Sequence, residues 1–167
     1  HMFAKEGHTV EVEVDYNTLT SEKIYDFSFS GNVPVANYNE FIEENRSNTT
    51  INLDYVNPLS ENSTLELGLE TRLRRTDNSY DTGNPNFNNS IFSYDRNIHS
   101  FYTTFSHNLN KWQYKLGLRV EDYSVDSQFN EVGKEQFDFT DKLFNLYPSG
   151  FLKYVPKEDQ KNSYQLS

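Results

Sequence analysis

The chain has 167 residues, a formal net charge of −10 and no cysteine, and 16% of its residues are aromatic while only 35% are hydrophobic. This composition lies outside the usual range of soluble globular domains. The acidic balance argues against a nucleic-acid partner, because phosphate binding needs an excess of lysine and arginine. The lack of cysteine excludes a disulfide scaffold and a thiolate zinc site. No stretch approaches the ~20 apolar residues of a membrane-spanning helix, but the alternating strands of a membrane barrel remain compatible.

Apolar and polar residues alternate with a period of two along most of the chain, which predicts β-strands. In chain order the predicted strands are residues 8–16, 23–31, 48–56, 63–74, 97–107, 112–123 and about 146–155, and an eighth that begins near residue 162. Strands of roughly 9 to 12 residues match the length that a tilted strand needs to cross a bilayer. We therefore expect an all-β, antiparallel, up-and-down meander with almost no helix.

The strongest alternation lies in the fourth and sixth strands. Leu67 and Leu69 alternate with Glu66 and Glu70, and the sixth strand repeats the pattern with leucines against charged residues. The fifth strand is ambiguous, because Phe101 and Phe105 occupy one face while Ile98 and Tyr102 occupy the other; we favour the phenylalanines on the outward face.

The predicted connections alternate between short and long. Residues 17–22, 57–62, 108–111 and 156–161 form short polar links, and residues 32–47, 75–96 and 124–145 form long ones rich in Asn, Asp, Ser and Gly. Outer-membrane barrels have short periplasmic turns and long extracellular loops, whereas a soluble sandwich has no reason for this regularity. The alternation favours a barrel, with residues 57–62 and 108–111 on the periplasmic side.

Three stretches resemble the C-terminal barrel region of Bacteroidota TonB-dependent receptors of the outer-membrane β-barrel family. They are NLDYVNPLSENSTLELGLETRLR, NIHSFYTTFSHNLNKWQYKLGLRVEDYS and NLYPSGFLKYVPKEDQKNSYQLS, and the region from the first to the last, residues 52–167, is about two thirds of the chain. The most specific elements are DYVNPL with LELGLE, LGLRVE, and YPSGFLKY. The resemblance implies an outer-membrane importer whose barrel holds a plug domain and is energised through TonB.

The resemblance also sets the expected organisation and partners. His1 and Met2 have the form of a cloning remnant, and residues 3–167 are expected to be a partial barrel of about eight strands with both ends cut. Expected partners are outer-membrane lipid, the plug domain and TonB through the parent's N-terminal part, and a transported ligand that the sequence does not identify. The excised piece is expected to self-associate through its unpaired edges and apolar face.

The charged faces of the fourth and sixth strands supply the candidate site residues, because a lipid-facing midplane arginine costs about 2–4 kcal/mol and a hydrated lumen accepts charge. These candidate lumen-lining or ligand-binding residues are Glu66, Glu70, Arg72, Arg74, Lys115, Arg119 and Glu121. A second set of aromatic residues suits the membrane interface: Tyr16, Tyr25, Tyr55, Trp112, Tyr114, Tyr123 and Tyr154.

Nothing in the sequence supports catalysis, a metal site or a cofactor. No nucleophile has a recognisable motif around it, and the histidines have neither paired spacing nor cysteine neighbours. The rival interpretation is a soluble secreted β-sandwich or lectin-like glycan-binding module, which the many aromatic residues and the mean hydropathy of −0.83 favour. Strand length and alternating loops argue for the barrel instead.

Overall fold

The computed structural model describes residues 6–31 and 36–155, and the backbone of residues 164–166. It contains six long strands and one short one. Their bounds are β1 Thr9–Phe27, β2 Tyr38–Ser60, β3 Ser63–Thr82, β4 Ser90–Leu109, β5 Trp112–Glu131, β6 Phe137–Tyr154 and β7 Tyr164–Leu166. Each strand pairs antiparallel with its neighbour in sequence, so the sheet order is β1-β2-β3-β4-β5-β6-β7. The predicted all-β antiparallel meander is confirmed.

The first two predicted strands are in fact one strand, and the predicted turn at residues 17–22 is wrong. Asn17 pairs with Asn48 and Glu22 with Glu43 in an unbroken ladder between β1 and β2. The Thr20 hydroxyl also donates a 2.8 Å hydrogen bond to the Asn45 side chain. The cross-strand ladder has overridden the turn preference of these polar residues. The described part of the chain therefore has seven strands, not eight.

The three predicted long loops are mostly strand. Between β1 and β6 the connections on that side are residues 28–37, 83–89 and 132–136, whereas those on the opposite side are the two-residue turns 61–62 and 110–111. Short and long connections therefore alternate from β1 to β6, as predicted, but the long ones are shorter than expected. Asn110 adopts the left-handed conformation, with φ 51°, that tight hairpin turns require. The predicted turn at residues 156–161 lies outside the described residues.

The sheet is a single layer and has no conventional core. Among the described residues, Val125 is the one hydrophobic side chain that is buried, with 4% of its surface exposed. The accessible surface is 12333 Å², roughly 40% more than the ~8,600 Å² expected for a compact monomer of this mass. A β-sandwich would pack two sheets around shared apolar side chains, so this architecture does not favour the soluble-module interpretation.

The ends of the sheet remain open, since β1 and β7 are its edges and the sheet does not close on itself. Exposed edges and apolar surface are the physical basis for the expected self-association, which stays a prediction. No helix in the described ranges is long and apolar enough to cross a membrane.

Candidate functional site

The strand register separates the residues into one apolar and one charged face. One row across the sheet reads Val12, Leu53, Leu69, Phe101, Val120 and Leu146. The neighbouring row, on the other face, reads Glu13, Asn52, Glu70, Ser100, Glu121 and Asn145. Directly paired residues share a face, so the two rows point in opposite directions. Phe101 and Phe105 lie on the leucine face, which confirms the orientation favoured for that strand.

The apolar residues of this face form a band, and aromatic residues form its rim at the end nearer the two-residue turns. It runs from the row of Trp112 to the row of Ile51, about 34 Å along the strands, or about 25 Å in height at the usual strand tilt of transmembrane barrels. At the rim, the rings of Trp112 and Tyr154 have centroids 4.6 Å apart. Tyr16, Tyr55 and Tyr114 also lie on this face.

Two of the aromatic residues predicted to lie at the membrane interface are not on the apolar face. Tyr25 pairs with Glu40, and Tyr123 pairs with Ile98 in the row of Arg72, so both lie on the charged face. The prediction for these two residues is wrong. For Tyr25 the cause is the missed continuity of β1, and for Tyr123 it is that aromatic residues favour strands irrespective of face.

Some side chains on the charged face reach across more than one strand. Arg119 on β5 contacts Glu70 on β3 at 2.9 Å, and Lys115 on β5 contacts Glu66 on β3 at 3.2 Å. Strands two apart in a sheet are separated by about 10 Å, so the long Arg119 and Lys115 side chains each extend across β4 to reach β3. On the opposite face Leu116 remains 57% exposed.

Arg119 organises an ion-pair network at the centre of the charged face. Its guanidinium lies 2.9 Å from Glu70 and 2.7 Å from Glu121, and it donates a hydrogen bond of 2.9 Å to the Ser100 hydroxyl. Arg72 lies 2.8 Å from Glu70 and 3.7 Å from Glu121. The two arginines and two glutamates therefore neutralise one another and connect β3 to β5.

The Tyr102 side chain passes over Gly68 on β3 and connects this network to β2. A Cβ atom added at Gly68 would overlap the Tyr102 ring, so the absence of a side chain leaves the ring room to lie over β3. The Tyr102 hydroxyl donates a hydrogen bond to Asp54 on β2, and the Arg119 guanidinium lies 5.6 Å from the ring centroid. Sequence reasoning missed this group, although a glycine inside a strand is a signal of close approach.

All seven candidate site residues lie on the charged face, and six of them are in ion pairs. The exception is Arg74, which faces Arg96 on β4. Its Nε atom is buried and has no hydrogen-bond partner in the described structure.

A cluster of aromatic residues lies on the charged face near the longer connections. We call it the distal aromatic patch, and it consists of Phe92, Tyr94, Phe129, Phe137 and Phe139. Phe92 and Tyr94 stack with centroids 6.4 Å apart, and Phe137 is 64% exposed. The sequence did not single out these residues because they fall in stretches predicted to be long loops.

Charged pairs near the longer connections shift the pKa values of their carboxylates. Arg75 donates a 2.8 Å hydrogen bond to Asp77 and lowers the pKa of that carboxyl. Lys134 likewise lowers the pKa of Glu131 at the β5–β6 connection, where Asn88 donates a second hydrogen bond to that carboxylate.

Within the ranges described, no cluster of histidine and carboxylate side chains could hold a metal ion.

A single-layer antiparallel meander with one apolar and one charged face is the architecture of a transmembrane barrel wall. The model of the outer membrane protein beta-barrel family matches residues 1–167, and the chain belongs to that family. The protein is therefore an outer-membrane protein.

A solved structure shares the fold. The ferric yersiniabactin uptake receptor FyuA from Yersinia pestis matches with a TM-score of 0.61 and 12% sequence identity, over 94% of this chain and 25% of that one. The chain thus spans about a quarter of the length of the receptor it matches. Comparison with curated protein sequences gives no match.

Proposed function

We propose that this chain is an internal section of the barrel of a Bacteroidota-type TonB-dependent outer-membrane receptor, which imports a large or scarce ligand. The observation that carries the proposal is the match of nearly the whole sheet to part of an uptake receptor's fold. The family, the unclosed sheet and the two contrasting faces agree with it.

In this proposal the two faces have different roles. The apolar band contacts lipid, and its aromatic rim of Trp112 and Tyr154 lies at the periplasmic interface. The charged face lines the lumen, where its ion pairs stay hydrated and contact the plug domain or the cargo. The two-residue turns at 61–62 and 110–111 then lie on the periplasmic side, and the longer connections lie outside the cell.

The partners of the complete receptor follow from the same proposal. A plug domain fills the lumen, and TonB binds the receptor through a part that precedes the barrel. The role of this chain is structural and transport-related rather than catalytic, since its charged residues are paired into a network instead of forming a nucleophile and base.

Single-channel recording separates this proposal from a porin, the other kind of barrel that the fold accommodates. The complete protein encoded by the gene that contains this chain is inserted in a planar bilayer. A plugged receptor shows no steady conductance, and deletion of the region before the barrel opens a large channel. Steady conductance from the complete protein, together with no binding to the periplasmic domain of TonB, would contradict the proposal.

A further inference from the structure

Two arginines face each other directly on the charged side of the sheet. Arg74 on β3 and Arg96 on β4 are register partners, and neither is fully exposed. Directly opposite residues have Cβ atoms about 4.5–5.5 Å apart, and like charges in such positions destabilise the sheet. The pair therefore needs a compensating anion or imposes a cost on the fold.

The rest of the charged face does not supply that anion. The chain has six arginines, and the other four, Arg46, Arg72, Arg75 and Arg119, each form an ion pair with an acidic side chain. Across the described structure, neither Arg74 nor Arg96 has a carboxylate within 4.0 Å, even though the chain carries a net charge of −10.

The neighbours of the pair along its row supply no counter-charge. Arg96 has Val125 as its partner on β5, and Val125 is 4% exposed. The next residue in the row is Asp141 on β6, and in the described structure it forms no ion pair with Arg96. The buried Nε of Arg74 has no hydrogen-bond partner, and an unsatisfied buried donor is unfavourable.

The pair also lies where an entering molecule would meet it. The row of Arg74 and Arg96 lies just beyond the end of the apolar band that is nearer the longer connections. It is between the ion-pair network around Arg119 and the distal aromatic patch. Tyr94 is in the next row on the same face, on the side of the longer connections. Two guanidinium groups present donors in the fork geometry that matches a carboxylate or a phosphate group.

We propose that Arg74 and Arg96 together bind an oxyanion, a carboxylate or phosphate group, on the lumen side of the barrel wall. The inference rests on the proposed function only for the lumen position; the anion site itself follows from the register and the missing counter-charge. The oxyanion belongs either to a ligand that enters from outside or to another part of the same protein, and the chemistry of recognition is the same.

The test uses the 167-residue chain in detergent micelles with inorganic phosphate as the probe. Because phosphate binds the folded state, it should raise the midpoint of urea unfolding in proportion to its occupancy. Arg74→Gln and Arg96→Gln should each weaken phosphate binding roughly tenfold to a hundredfold, the loss expected for a charge-assisted hydrogen bond. Without phosphate both variants should be at least as stable as the original chain, since each removes a like-charge contact.

Arg75→Gln is the matched control, because Arg75 adjoins Arg74, lies on the opposite face and is already paired with Asp77. It should leave phosphate binding unchanged. Equal phosphate binding in all three variants, or no phosphate effect on the original chain, would overturn the inference.

A second arm repeats the titration on the complete protein. If phosphate stabilises both forms, the site is open to an external ligand; if it stabilises only the 167-residue chain, the protein supplies its own carboxylate. These outcomes do not depend on channel conductance or TonB binding, so the anion site and the proposed receptor function can fail separately.

Discussion

Leu118 provides a direct test of the apolar band. It lies near the middle of the band, in the row of Tyr55, Leu67 and Thr103, and is 42% exposed. Gln128 is the matched control, because it is on the same strand and the same face but about 34 Å further along the strand, beyond the band. The two positions therefore differ in depth and not in the direction of the side chain.

The expected free-energy cost of an arginine differs widely between these two positions. An arginine at the bilayer midplane on the lipid face costs about 2–4 kcal/mol, and the cost falls to about 0–1 kcal/mol near the interfaces. At 1.4 kcal/mol per factor of ten, Leu118→Arg should reduce the folding equilibrium constant roughly 30-fold to 700-fold. Gln128→Arg should change it by less than about fivefold, because it places the charge in water.

The assay is refolding of the complete barrel from urea into phosphatidylcholine vesicles, with the folded fraction measured by the mobility of unheated samples on gels. The midpoint should fall for Leu118→Arg and stay close to the original for Gln128→Arg. Equal effects of the two substitutions, or no effect at Leu118, would refute the assignment of the apolar face to lipid.

Three further predictions concern single features. Trp112, the only tryptophan, should be quenched more by lipids brominated near the headgroup than near the chain ends; the reverse order would disprove an interfacial rim. Gly68→Ala should cost about 1–3 kcal/mol by displacing the tyrosine ring above it and breaking its half-buried hydrogen bond to Asp54, whereas Gly150→Ala meets only ordinary contact at 3.9 Å and should be nearly neutral in the same urea titration. Lys134→Met should raise the pKa of Glu131 towards its ordinary range, because that lysine stabilises the charged carboxylate; an unchanged NMR titration of Glu131 would contradict the pairing.

Sequence alone predicted the faces correctly wherever leucine alternates with charge. In β3 and β5 each apolar residue is followed by a charged or small one, so the period of two leaves a single orientation. The fold class and the meander follow from this alternation and from short links that allow only neighbouring strands to pair. The position of all seven candidate residues on one face has the same origin.

Strand extent was not predictable by the same means. Beyond the apolar band polar residues occupy much of both faces, as for Asn17 opposite Asn48 and Asp77 opposite Ser93, and the aromatic residues of the distal patch lie on the charged face. The alternation of leucine with charge is therefore lost there. Residues 17–22 therefore resembled a turn, and residues 75–96 resembled a loop. The backbone ladder holds these stretches as strands irrespective of side-chain polarity.

The details of the site depend on register, which the sequence does not supply. The partner of Arg74 is Arg96 because β3 and β4 are joined through residues 83–89 in one particular alignment. A shift of that pairing by a single residue would move Arg96 out of opposition to Arg74. The same applies to Tyr102, whose position over Gly68 is defined only once the two strands are paired.

In the complete barrel, lipid should contact the leucine face and water the arginine face. Spin labels placed singly at Leu69, Leu118, Arg72 and Arg119 of the complete barrel in vesicles measure this directly, with oxygen as the lipid-soluble relaxant and a nickel chelate as the water-soluble one. We expect oxygen to dominate at Leu69 and Leu118 and the nickel chelate at Arg72 and Arg119. Oxygen-dominated relaxation at the two arginine positions, with the leucine positions accessible to the chelate, would mean that the two faces are assigned the wrong way round.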